Sequence, residues 1–161
     1  MAAAQYNILA DQGSTFKLFV EYQTAGSTAI DLNNYQAEMQ VRRNSNNSGV
    51  LLYLTGSGYA ADGGGLGRRT AVTGGGSTGF FTPGVVGSSL DGIRGTGGIR
   101  LNTSYTGGSG SNTGGIFINV DAVSMANVPI GRHLYDLELI NGTDVTRILQ
   151  GRFEIEPEIT K

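Results

Sequence analysis

Clustered glycines and arginines, a lone histidine and a pair of carboxylates are the residues of this chain whose types and spacing could do chemistry. Gly63-Gly-Gly-Leu-Gly67 runs into Arg68-Arg69-Thr70, joining free backbone amides to cations as a phosphate cradle does. The stretch lacks the lysine of a P-loop and has no helix to open, so it reads as a surface loop. Gly95-Thr-Gly97-Gly98 comes no closer to a nucleotide site, because no βαβ unit surrounds it. His133 is the only histidine, and with Asp136 and any of several serines it formally allows a Ser-His-Asp arrangement. No nucleophile elbow accompanies it, so packing or a hydrogen bond at the start of a strand is the expected role. Asp136 and Glu138 share one strand face, as a carboxylate pair would. Arg147 and Arg152 lie across from them, which makes surface ion pairing the default. A glycosidase needs its two carboxylates to flank a sugar cleft, and nothing in the sequence indicates one.

Other chemistries fall to composition. With no cysteine and one histidine the chain has too few soft ligands for zinc, and aspartates and asparagines at calcium-loop spacing are absent. The arginine pairs Arg42–Arg43 and Arg68–Arg69 suit a solvated surface, or an acidic patch on a partner. Asn46-Asn-Ser, Asn102-Thr-Ser and Asn141-Gly-Thr match the glycosylation triplet, but without a secretory signal they read as chance matches. No catalytic reading survives, and no cofactor is implied. The chain is expected not to be an enzyme.

The elements that must position these residues are strands. Thr15 to Tyr22 alternates, with Phe16, Leu18, Val20 and Tyr22 on one face and Lys17, Phe19 and Glu21 on the other. Ala37 to Arg43 repeats the pattern, turning Ala37, Met39 and Val41 inward and Glu38, Gln40 and Arg42 outward. The turn cluster Asn44 to Gly49 then leads to the apolar run Val50 to Leu54, which predicts a hairpin. Ile116 to Val120 alternates again, and Ile99-Arg-Leu101 is a further candidate strand. Near the C-terminal end Tyr135, Leu137 and Leu139 point one way, Asn141-Gly142 supplies turn chemistry, and Val145 to Gln150 returns. The turn predicts Leu137 opposite Ile148 and Glu138 opposite Arg147, with a bulge or bend at Gly151 before Phe153 and Ile155 turn inward. The only helical candidate is Asp121 to Asn127, where Asp121 can cap a turn before Pro129. Seven or eight short strands with at most one helical turn predict an all-β, immunoglobulin-like antiparallel β-sandwich.

Of the 27 glycines, 21 lie between Gly56 and Gly115. Glycine loses the most backbone entropy on ordering, and the few large apolar side chains here cannot offset that over sixty residues. The stretch is therefore not an independent domain, and its lack of a strict three-residue period excludes collagen. The expected organisation is one domain over residues 1–161, its core from about 5–55 and 99–160, with 56–98 as a glycine-rich insertion. Net charge is -2 with no basic block, so the footprint of a nucleic-acid binder is missing. No apolar run is long enough to span a membrane, and the first residues do not read as a signal peptide. Synthesis in a cytosol without signal-directed export is the expectation.

The flanks carry a family likeness. Ala10-Asp-Gln-Gly-Ser-Thr-Phe16 and Ala29-Ile-Asp-Leu-Asn-Asn-Tyr-Gln-Ala-Glu-Met-Gln-Val-Arg42 resemble the opening strands of small tailed-phage virion proteins. Leu51-Leu-Tyr-Leu-Thr55 fits the next strand of that pattern. His133-Leu-Tyr-Asp-Leu-Glu-Leu139 and Val145-Thr-Arg-Ile-Leu-Gln-Gly-Arg-Phe-Glu-Ile-Glu-Pro-Glu-Ile-Thr160 resemble its closing hairpin. The match covers most of residues 5–55 and 116–160. It is nearest to structural proteins of T4-like cyanobacterial phages, and looser to the immunoglobulin-like N-terminal domain of upper-baseplate proteins.

This resemblance implies a tail or baseplate building block in the virion, assembled in the host cytoplasm and acting by protein–protein packing. Its partners would be other virion proteins, copies of itself, and a tail fibre or host surface receptor. A head-decoration protein on the capsid is one alternative. A host-binding adhesin or fibre adaptor using the glycine-rich loops is another. The resemblance assigns no role to the insertion, where Tyr59, Phe80, Phe81, Val85, Val86 and Tyr105 are the expected assembly contacts.

Overall fold

Period-two patterning becomes two facing sheets. The computed structural model describes residues 2–32, 34–46, 50–57, 79–80, 98–103, 111–126 and 128–160. In order these form β1 (Ala4–Gln5), β2 (Ile8–Asp11), β3 (Phe16–Glu21), β4 (Gln36–Arg42), β5 (Val50–Ser57) and β6 (Gly79–Phe80). There follow β7 (Gly98–Thr103), β8 (Ser111–Val120), α1 (Ala122–Ala126), β9 (Gly131–Asn141) and β10 (Asp144–Glu156). The larger sheet has the order β1-β10-β9-β4-β5-β6, with β2 also on β10, and the smaller is β3-β8-β7. The result is an all-β, sandwich-like fold. The ten strands among the described residues exceed the seven or eight expected, partly because two-residue strands such as β1 and β6 are too short to show periodicity.

The core lies between the sheets. Leu54, Met39, Leu137 and Leu149 form one row across the larger sheet, and Ile99, Ile118 and Leu18 one row across the smaller. Phe153 joins the layers, its ring edge-on to Phe16 at 5.3 Å and to Tyr135 at 6.2 Å between centroids. Met39, Ile99, Leu137 and Phe153 are fully buried, each burial stabilising the fold by about 1.5–3 kcal/mol. Asp121 caps α1 as its position suggested, its Oδ1 accepting from the Ser124 amide at 3.0 Å. No described helix is long and apolar enough to cross a membrane.

Three expectations change. The turn does set Glu138 opposite Arg147, but the register then shifts at Ile148, so Leu137 faces Leu149 instead. The bulge therefore comes three residues before Gly151, and it is what lets Arg147 point outward while Leu149, Phe153 and Ile155 point inward. Gly151 stays in the ladder for another reason: a Cβ there would collide with the Tyr6 carbonyl. Nor is the sandwich wholly antiparallel, because β1 and β2 both run parallel to β10. The chain leaves β2 for the other sheet at Gln12-Gly13, the end toward which β10 also runs, and that fixes the direction. Finally, Gly56 and Ser57, counted with the glycine-rich stretch by composition, finish β5 as partners of Ala37 and Gln36.

Candidate functional site

The outward positions of β4, β9 and β10 make one continuous face. Strand alternation sends Gln40 and Arg42, then Asp136 and Glu138, then Arg147, Gln150 and Arg152 to the side away from the core. Gln40 sits opposite Asp136, which sits opposite Gln150, while Arg42 sits opposite Leu134 and Leu134 opposite Arg152. With Asn7 and Asn44 at its rim, this face is hollowed into a depression of about 730 Å³. Arg147 spans it, its Nε 3.1 Å from Asp136 Oδ2 and its Nη2 3.4 Å from Glu138 Oε1. Arg42 grips Gln40 Oε1 through both Nε and Nη2, at 3.1 and 2.7 Å. Glu38, opposite Glu138, is buried, and so are Gln40 and Tyr53. The outward face is therefore not uniformly solvated, as alternation alone suggests.

Chemically this is a polar, ion-paired face. Asp136 and Glu138 are both held by one guanidinium on the same sheet face, the ion pairing expected of them, and they do not flank a cleft from opposite walls. His133 lies on the other face, 3% exposed, with Nε2 2.7 Å from the Pro129 carbonyl. Alternation thus separates His133 from Asp136, and the Ser-His-Asp arrangement does not form; packing and a hydrogen bond are its role. Among the described residues no group of three His, Cys, Asp or Glu side chains is placed to hold a metal.

A second built feature gathers at Asn102. Its Oδ1 accepts from the amides of Leu32 and Gly114 at 3.0 and 3.1 Å, and its Nδ2 donates to Asp31 Oδ1 at 2.7 Å. The residue sits at a ladder irregularity with φ of 52°, a region asparagine tolerates better than most residues. It ties β7, β8 and the β3–β4 connection into one knot. That engaged amide gives Asn102 a structural role, whereas Asn46 is exposed in a turn and Asn141 is exposed at the end of β9.

Of the expected assembly contacts, Phe80 has its backbone in β6, paired with Tyr53. Tyr59, Phe81, Val85, Val86 and Tyr105 lie outside the described residues, as do Gly63–Thr70 with Arg68 and Arg69. Sequence reasoning missed Gln40, Gln150 and Asn7 as members of one surface. The outward parity of Gln40 was readable, but only the strand order brings β4 beside β9. Comparison of the chain with protein-family models and with curated proteins finds no match.

Proposed function

We propose that this chain is a structural protein of a bacteriophage particle, in the tail or baseplate, acting by packing against other virion proteins and against copies of itself. One observation carries the reading. The segments that resemble phage virion proteins fold into β2–β3, β4, β5, β9 and β10, and β4, β9 and β10 build the hollowed polar face around Arg147. Donors and acceptors alternate across that face, which suits docking to a protein neighbour with a polar rim.

An immunoglobulin-like topology belongs to the same reading. The order β2-β10-β9-β4-β5-β6 set against β3-β8-β7, with the N-terminal strand alongside the C-terminal one, supports a sandwich of the variable-domain kind. In that scheme the glycine-rich stretch is an insertion between the fifth strand and the seventh, and the chain is not an enzyme. Averaged images of the particle test the assignment. Density for this chain in a tail or baseplate ring, at low copy number, is the expected result; density confined to the head lattice, at hundreds of copies, defeats it. Deleting Gly63–Gly95 is expected to impair assembly. Particles that assemble normally but no longer adsorb would move the role to host binding.

A further inference from the structure

The arm that holds β1 and β2 is attached almost entirely to one strand. Ala4 and Gln5 pair with Leu149 and Gln150, and Ile8 to Asp11 pair with Phe153 to Glu156. The Tyr6 amide donates to the Gln150 carbonyl and the Gln12 amide to the Glu156 carbonyl, both at 2.9 Å. Between the two strands the chain kinks over Gly151, where Asn7 Oδ1 accepts from the Arg152 amide at 3.0 Å and Tyr135 Oη donates to the Tyr6 carbonyl at 2.7 Å. Nearly every anchor is thus on β10 or on its hairpin partner β9; the Gln12 side chain, bonded to the Val128 carbonyl, is the exception. Only Ile8 and Ala10 of the arm are buried, while Tyr6 and Leu9 are 49% and 63% exposed.

Two further features loosen the arm from the rest of its own chain. A cavity of about 280 Å³ separates it from β3, lined by Ile8, Leu9 and Ala10 on one side and Phe16, Lys17 and Leu18 on the other. Its connection to β3 is a tight turn, with the Ser14 amide on the Asp11 carbonyl at 3.3 Å and Gly13 at φ +78°. That is the geometry of a turn with glycine at its third position, the residue type with the most backbone freedom to leave it.

We infer that the arm is an exchangeable strand: residues 2–12 can leave their own β10 and lie on the β10 of a second copy of this chain. The occupant is known because the arm itself is seen seated there, so a second copy offers the same backbone ladder, the same bare Gly151 and the same Tyr135 hydroxyl. Exchange of an identical element makes a contact that is complementary by construction. The intramolecular arm competes at high effective concentration, so exchange is favoured where copies are held side by side. This inference names the contact within the self-packing proposed above and rests on that reading for its setting, but not for its geometry.

The test uses the full chain, which has no native cysteine. One preparation carries Leu9→Cys and another Glu154→Cys, positions that face each other across the parallel pair. The two are mixed, oxidised, denatured and resolved without reductant. A mixture of Leu9→Cys with Thr143→Cys, at the exposed hairpin tip, measures random collision. Exchange predicts covalent heterodimer well above that control, its fraction of the chain rising by about tenfold for a tenfold rise in each copy at low occupancy. Gly13→Pro, which forbids positive φ, is expected to shift the chain from monomer to dimer in light scattering. Should that variant fail to fold, the cysteine pair decides alone. Heterodimer at the control level overturns the inference. Exchange by a chain confined to the head lattice would leave the inference standing and defeat the tail reading; a tail-ring chain that never exchanges would do the reverse.

Discussion

Strand β10 has a neighbour on each edge, and the two differ in direction, in hydrogen-bond pattern and in distance along the chain. On one side β9 runs antiparallel, joined through the tight Asn141–Asp144 turn with Gly142 at φ 62°. On the other the arm runs parallel, and the bond from Tyr135 to Tyr6 closes a separation of 129 residues. The hairpin is specified locally, by turn chemistry and by side chains that must all face one way. The arm is specified by groups far away in the chain, the bare Gly151 of β10 and the Tyr135 hydroxyl of β9. A locally specified pair resists loss of any single contact; a remotely specified one is removable at its notch.

The widest break removes both neighbours together. Phe153→Ala takes out the ring that joins the two sheets, and a loss of about 3–5 kcal/mol is expected from urea unfolding. That is a large part of what a small domain has, so the variant is expected to be partly unfolded at room temperature.

A narrower break separates the two edges. Gly151→Val puts side-chain atoms where the Tyr6 carbonyl lies, and a loss of about 1–3 kcal/mol is expected. Hydrogen exchange then locates it: protection of the Tyr6 and Gln12 amides should vanish while the β9–β10 ladder keeps its own. Equal loss on both edges would show that the arm and hairpin are one cooperative unit.

Tyr135→Phe probes the hydroxyl alone. About 1 kcal/mol is the expected loss, as the Tyr6 carbonyl gives up its phenol partner. Its pH dependence carries a sign. Burial, with the nearby Tyr6 phenol second, pushes the Tyr135 phenol well above its ordinary value of 10.0. The folded state therefore holds that proton more tightly than the unfolded state does. The resulting stability is complete below pH 10 and falls as pH rises beyond it. Unfolding midpoints measured from neutral to strongly alkaline pH should decline less steeply for Tyr135→Phe than for the parent.

The smallest effect is expected on the polar face. Arg147 is 49% exposed, so its two ion pairs are screened, and Arg147→Ala should change stability by under about 1 kcal/mol, less at high salt. If the proposed docking holds, the same variant should weaken recovery of the chain in assembled particles far more than it weakens the fold.

Much of this fold was legible from residue order. Alternation at Thr15–Tyr22, Ala37–Arg43 and Ile116–Val120 identified strands and the face of each that meets the core, because a core-facing row leaves a period-two record. It did not show that Glu38, Gln40 and Phe117 on the opposite parity are buried as well. The Asp121 cap and the Glu138–Arg147 pairing were readable for the same kind of reason, each depending on residues a few positions apart. The candidate surface was only half legible. Asp136, Glu138, Arg147 and Arg152 could be grouped through the hairpin, but Gln40 and Arg42 join them through β4–β9 pairing, nearly a hundred residues away in the chain.

The sequence by itself determined the class of the molecule: strands, one capped turn and no thiol chemistry. Such properties follow from local periodicity, capping and composition, which act within a few residues. Tertiary structure alone decided that the bulge falls at Ile148, that Gly151 is a notch for the Tyr6 carbonyl, and that Asn102 knots three segments. It also decided that the first strands lie parallel to the last. Those outcomes depend on which edges meet when two sheets close over one core, and no local pattern records the neighbour that a strand will find.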